Sequence, residues 1–369
     1  MKFTVERDNL LHALSHAHRI VARTDAIPIL STVLMVVRDG RVAIKATSAE
    51  MVAETSCPAE IEESGEFALP LAPLVELMRK LPAGTPMGFS LASSAGEVAI
   101  RYRRSSVSLP TLETDSFPAF ALTGDVFEMD IEAAQLGRLI EIPAHIADAT
   151  SPWAYGVGVH VHLPAGGGSL VGVATDQKRM TIVTLPATGV AGFPSVTIAL
   201  KPIGEIVKLS KEAKGTVLRL RVSDRLLSVS DGSTTLTSKL IETQFPDYTR
   251  VVPTETPNKA IVAAQEFGSA LQRTLVLADD KDRIVHCEIA DGILSITARG
   301  QKSGAIHETV EVDGGDGTRF GFNARMAVEA LGAINADVIE LSSSGPGAPI
   351  VMRAQSNAEV LCLVMPLKV

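Results

Sequence analysis

Val-Ala-Ile-Lys-Ala-Thr-Ser, at Val42–Ser48, returns as Leu-Val-Gly-Val-Ala-Thr-Asp at Leu170–Asp176 and as Leu-Ser-Ile-Thr-Ala at Leu294–Ala298. Setting Thr47, Thr175 and Thr297 in register gives offsets of 128 and 122 residues. A second phrase repeats with it: Pro73–Leu77, Pro202–Ile206 and Ala327–Leu331, whose glutamates Glu76, Glu205 and Glu329 lie 129 and 124 apart. A third closes each unit, Phe117-Pro118, Phe245-Pro246 and Met365-Pro366, at offsets of 128 and 120. Solenoid repeats recur every 20–50 residues or so, so a period this long makes each unit a whole domain. The chain reads as three copies of one fold, at 1–122, 126–252 and 257–369.

Composition agrees with that division. A chain of 369 residues has room for three cores of about 123 residues each. It is 46% hydrophobic but only 4% aromatic, so Ala, Val, Leu and Ile must fill those cores. The sequence holds no uncharged apolar run of the roughly 18 residues a spanning helix needs, and Met1–Asp8 is charged at once, unlike a secretory leader. Cys57, Cys287 and Cys362 are odd in number and scattered, with neither disulfide nor metal spacing. A cytoplasmic protein with buried thiols is expected. The net charge of −8 argues against nucleic acid only if the basic residues are spread evenly.

Within the first unit, Lys2–Val5 reads as a strand and Asp8 as the cap of a helix carrying Leu10, Leu11, Leu14 and Ala17 on one face. Leu10 and Leu14 recur as Leu136 and Ile140, then as Phe267 and Leu271. Val33–Val37 and Val42–Ala46 flank Arg38-Asp39-Gly40, a hairpin signal. Phe67–Leu69 then leads into a helix over Leu71–Leu81, followed by strands at Met87–Leu91, Glu97–Tyr102 and Ser106–Leu109. Six helices among antiparallel strands make an α+β protein. Ala119–Asp125 and Pro253–Lys259 read as connectors.

No catalytic constellation emerges. His160 and His162 share one face of a strand without further ligands nearby, and read as surface or interface histidines. Gly166–Gly168 does not open a helix after a strand, as a phosphate loop would. Asp279-Asp280 reads as solvated charge in a turn. No serine elbow, zinc-protease helix or paired-cysteine motif is present. With neither catalytic nor metal-binding residues to assign and no cofactor implied, a binder or scaffold is expected before an enzyme.

An ordered set of phrases then becomes recognisable: Met1–Arg7, Ile27–Leu30, Ala174–Arg179, Leu236–Leu240, Phe245–Tyr248, Gly321–Ala324 and the terminal Val364–Val369. Together, and over the whole chain, they resemble the bacterial DNA polymerase III beta subunit family, the sliding clamps. The resemblance implies a head-to-tail homodimeric ring of six similar domains, a non-catalytic processivity factor that encircles duplex DNA without reading its sequence. Its implied partners are the polymerase III alpha subunit, a clamp loader and other replication and repair proteins with clamp-binding motifs, with no membrane. Only helices lining the hole need be basic, which resolves the charge question. The resemblance assigns Arg19, Arg23, Thr24, Arg79, Lys80, Arg138, Tyr155, Lys201 and Lys208 to the DNA side, with Lys211, Lys214, Arg273 and Arg325 in support. It implies a peptide pocket built from Thr175, Lys178, Arg179, Met180, Pro246, Arg250 and Val251, closed by Leu363, Met365, Pro366 and Leu367. Subunits would join through Val107 and Leu109 of the first unit and Val276 and Leu277 of the third.

The sequence departs from the family pattern in the second unit. Gln177 stands where the family has glycine, constraining the backbone and narrowing the pocket. Gly156 stands where a pocket-wall leucine is usual. Two alternatives accompany the main reading: a divergent second clamp with altered partner or inhibitor binding, and a three-domain scaffold that never meets DNA.

Overall fold

Strand and helix alternate in the order the repeat dictates. The structure, a computed structural model, describes residues 1–21, 27–91, 96–118, 120–278, 283–300, 304–345 and 347–367. Among these are six α-helices, two per repeat: α1 (Arg7–Ile20), α2 (Leu71–Lys80), α3 (Ala133–Ala144), α4 (Leu200–Glu212), α5 (Ala264–Thr274) and α6 (Ala324–Ile334). All strand pairing is antiparallel. No described helix is long and apolar enough to cross a membrane.

The repeated positions are core positions. Leu10, Leu14, Leu136, Ile140, Phe267 and Leu271 are all buried, because helical spacing places each pair on the face turned to the sheet. Phe3 stacks on Phe89 at 4.7 Å, so two of the few aromatics anchor the first core. Cys57, Cys287 and Cys362 are buried thiols. The hairpin signal holds: Thr32–Arg38 pairs with Arg41–Thr47 through a two-residue turn in which Asp39 and Gly40 both have positive φ. Asp8 corrects an expectation. The chain enters α1 at Glu6 with no side-chain cap, and Asp8 lies inside the first turn, where it pairs with Arg7 and accepts the Gly84 N–H at 2.7 Å.

The chain forms two compact units, Met1–Ala133 with Lys208–Leu240, and Ala134–Val207 with Ile241–Val369. Each contains a sheet that runs from one repeat into the next. In the first unit, Met51–Pro58 pairs with Thr234–Lys239, Thr55 opposite Thr234. In the second, Arg179–Pro186 pairs with Val360–Val364, Arg179 opposite Val364. Under the repeat offsets these are the same joint made twice. The two strands that would make it a third time are Gly304–Gly314 and Ser105–Pro110. Ser105–Pro110 ends its sheet, and Gly304–Gly314 pairs on one side over Gly304–Glu311 and on the other only at Val312–Gly314. Among the described residues, each keeps an edge with no strand on it.

Gly172 shows how far the middle repeat departs from the others. The offsets place it where Ile44 and Leu294, both fully buried, stand in the other copies. A Cβ built on Gly172 would lie 2.1 Å from the carbonyl oxygen of Leu139 in α3. Pro143 lies four residues on, inside the same helix, and has no N–H to offer that carbonyl. Helix backbone therefore rests directly on strand backbone here.

Candidate peptide-binding site

A largely apolar cavity of about 240 Å³ lies in the second unit, beside the joint between Arg179–Pro186 and Val360–Val364. Strand alternation sets one wall. Met180 and Leu363 are cross-strand partners, both buried, with side chains at the cavity wall. Met365 follows, held by its N–H to the carbonyl of Lys178 at 2.8 Å. Pro246 and Val251 complete the apolar lining, with Tyr155 and Tyr248 giving aromatic edges.

The turn from Thr175 to Arg179 is fixed by its own side chains. Thr175 Oγ1 donates to the Arg179 carbonyl at 2.9 Å and accepts the Gln177 N–H at 3.1 Å. Asp176 accepts the N–H groups of Lys178 and Arg179 at 3.0 and 2.9 Å, and Arg179 Nε at 3.0 Å. The Arg179 side chain, 14% exposed, also bonds Glu329 of α6, which accepts Arg325 Nε at 2.9 Å. Burial works against the charge of Arg179, but the bonds from Glu329 and Asp176 outweigh it and raise its pKa. Burial likewise opposes ionised Glu329, and Arg179 and Arg325 overcome it, leaving its pKa below the ordinary value of 4.5. A carboxylate with a depressed folded pKa stabilises above its unfolded pKa and loses that contribution as pH falls through the folded value. Wild type should therefore melt higher than Glu329→Gln at pH 7. The gap should close as pH drops below the ordinary glutamate range, measured by thermal melts across pH.

Behind the cavity stands a second tier. His160 stacks on Phe245 with ring centroids 4.6 Å apart and bonds Thr197 Oγ1 at 3.0 Å. His162 Nε2 lies 2.8 Å from the Tyr248 hydroxyl. The two histidines, expected as surface or interface groups, are half-buried supports of the pocket wall. Burial, joined by the neighbouring His162, pulls the pKa of His160 down to about 4, and burial lowers that of His162. Both are neutral at pH 7.

Seven of the expected pocket residues meet here: Thr175, Arg179, Met180, Pro246, Val251, Leu363 and Met365. Four lie off the lining. Lys178 is exposed and offers only its backbone carbonyl to Met365. Arg250 points to solvent and is held by Asp247 at 2.9 Å. Pro366 and Leu367 follow the tail away, and the Leu367 N–H bonds the Gly321 carbonyl. Tyr155, expected on the DNA side, lines this cavity. Gly156 is no wall position: it is buried, and a Cβ there would meet Ser151 Oγ at 2.5 Å. Gln177, Asp247 and Tyr248 were not assigned to the lining. The departure at Gln177 was the one sequence signal toward them.

The other expected residues are distributed as follows. Arg23, Thr24 and Asp279-Asp280 lie outside the described residues. Arg79 and Lys80 are exposed in the last turn of α2. Lys201, Lys208 and Lys211 fall on one exposed face of α4, at helical spacing, with Lys214 exposed just beyond. Arg19 pairs with Glu212, Arg138 with Glu359, Arg273 with Glu308 and Arg325 with Glu329. These four arginines carry partly neutralised charge, while the α4 lysines form an exposed cationic stripe. Val107 and Leu109 are half-buried on the edge strand, and Val276, just past α5, is 77% exposed with half-buried Leu277 beside it.

The sequence profiles described as DNA polymerase III beta subunit N-terminal, central and C-terminal domain match residues 1–121, 131–247 and 249–368. The chain is 32% identical to a beta sliding clamp of Caulobacter vibrioides, with 100% of each chain covered. Among solved structures, Caulobacter crescentus pol III beta superposes with a TM-score of 0.92 at 32% identity. The DNA polymerase III subunit beta of Pseudomonas aeruginosa superposes with a TM-score of 0.93 at 25% identity. Both structures are matched over 100% of either chain.

Proposed function

The chain belongs to the DNA polymerase III beta subunit family, and from that premise we propose how this chain works as a sliding clamp. Two copies close head to tail into a ring around duplex DNA. Gly304–Gly314 of each copy meets Ser105–Pro110 of the other, with Val107, Leu109, Val276 and Leu277 at the joint. One observation carries this reading: the inter-repeat sheet joint is made twice within the chain, and the two strands for a third are left with open edges. A chain with one such edge in its first repeat and its complement in its third closes heterologously, and two copies of three domains give six.

The DNA contact is electrostatic and blind to sequence. The exposed lysines of α4, with Arg79 and Lys80 of α2, face phosphates, while the pairing of Arg19 and Arg138 with carboxylates tempers the attraction. Weak attraction suits a ring whose hold on DNA is topological. Partner proteins, the polymerase first, insert an apolar linear peptide into the 240 Å³ cavity and are thereby kept at high local concentration on the template. The protein performs no catalysis, and energy for ring opening belongs to the loader. This work on chromosomal DNA is cytoplasmic.

Primer extension on a circular single-stranded template tests the reading. With polymerase III core, loader and ATP, adding this protein should lengthen the products of single binding events. Met365→Ala should abolish the gain. Unchanged product lengths with a protein that is dimeric would contradict the proposal.

A further inference from the structure

Gln177, at φ +72°, is the only non-glycine residue of the cavity lining held in the left-handed region. Such strain points to a task for the side chain. The bonds that close its turn do not require glutamine, because they use only the backbone N–H of residue 177 together with Thr175 and Asp176. What the glutamine side chain adds is one contact: Nε2 donates to the Tyr155 hydroxyl oxygen at 2.7 Å. Tyr155 is itself fixed between Trp153, stacked at 6.1 Å, and Phe245, edge-on at 6.0 Å. The contact ties the turn after Ser169–Thr175 to the short 3-10 turn Ala154–Val157, along the rim of a largely apolar cavity.

We infer that Gln177 is a specificity-determining residue of the peptide pocket: clasped to Tyr155, its amide closes one end of the cavity to apolar anchors. It yields there to a peptide carbonyl or carboxamide that can bond the Tyr155 hydroxyl in its place. The inference rests on the peptide-pocket reading above. An apolar side chain arriving at the clasp must break it or bury its remaining donors and acceptor unpaired. Either loses about one neutral hydrogen bond, a weakening of roughly three- to tenfold. An amide-bearing group recovers that bond.

The test uses the full-length protein and a fluorescent Gln-Leu-Ser-Leu-Phe peptide, with companions in which each apolar residue in turn is replaced by Gln. Each is titrated against wild type, Met365→Ala and the double variant Gln177→Ala/Tyr155→Phe. Near-ultraviolet circular dichroism checks that the double variant keeps its fold, and emission from Trp153, the only tryptophan, reports the rim. At one peptide position, the ratio of affinities for the Gln and apolar peptides should move toward the apolar one by about fivefold in the double variant. An unmoved ratio at every position, with binding still dependent on Met365, overturns the inference alone. Peptide binding that is absent or indifferent to Met365→Ala overturns the pocket reading and the inference with it.

Discussion

Gly172→Ala is expected to destabilise the protein by about 3 kcal/mol, the upper end of what overpacking usually costs. The added methyl would sit 2.1 Å from the Leu139 carbonyl oxygen and 3.3 Å from Leu139 Cδ1. Real Cβ contacts do not fall below about 3.0 Å, so α3 must retreat or the strand must bow. The strand resists, because Ser169–Thr175 is paired on both sides, with Gly158–His162 and Arg179–Pro186. The helix resists because Leu136, Leu139 and Ile140 are buried on the same face. Urea titration followed by circular dichroism measures the effect as a lower midpoint with an unchanged slope. A variant within about 0.5 kcal/mol of wild type, the range of an ordinary surface change, would show that the helix does not rest on this strand.

The second large effect concerns the pocket. Met365→Ala removes one apolar side chain from the cavity lining, and at about 0.8 kcal/mol per buried methylene-sized group the lost contact is about 2 kcal/mol, or roughly thirtyfold in affinity. A fluorescent clamp-motif peptide titrated by anisotropy measures it. The contrast is with Lys178→Ala and Arg250→Ala, whose side chains are exposed and off the lining. Both should stay within about twofold, the range of a rim contact without hot-spot character. Comparable losses in all three variants would mean that the peptide lies along the turn and the tail, outside the cavity.

The three-domain architecture was legible because it rests on repetition, and repetition survives wherever burial demands it. Leu10 and Leu136 are matched by Phe267 in the third copy, and all three share a buried face, so helical spacing revealed them. The apolar pocket walls were reached through the family resemblance, and Met180, Leu363 and Met365 line one cavity. Polar details were harder to read, because they depend on which way a side chain turns. Arg250 and Lys178 look like rim contacts in sequence, yet one is captured by Asp247 and the other lies exposed, with its backbone N–H and carbonyl bonded to Asp176 and Met365. Tyr155 reads from the resemblance as a DNA-side residue, and its contacts with Gln177, Trp153 and Phe245 put it in the cavity lining. Gly172 was visible in the opening phrase of the repeat. Its meaning required the distance to Leu139, since a strand glycine alone does not say what approaches it. Glu76, Glu205 and Glu329 repeat in sequence but not in environment: exposed, buried, and paired with two arginines.

Ring closure is the central claim, and the mass of the protein in solution tests it most directly. Sedimentation velocity at micromolar concentration should give about 78 kDa, twice the 38.9 kDa chain. Val107→Pro, which removes an N–H and bends the open edge strand, should give the single-chain mass with the far-ultraviolet spectrum retained. A wild-type protein that sediments as a single chain at every concentration would contradict the account.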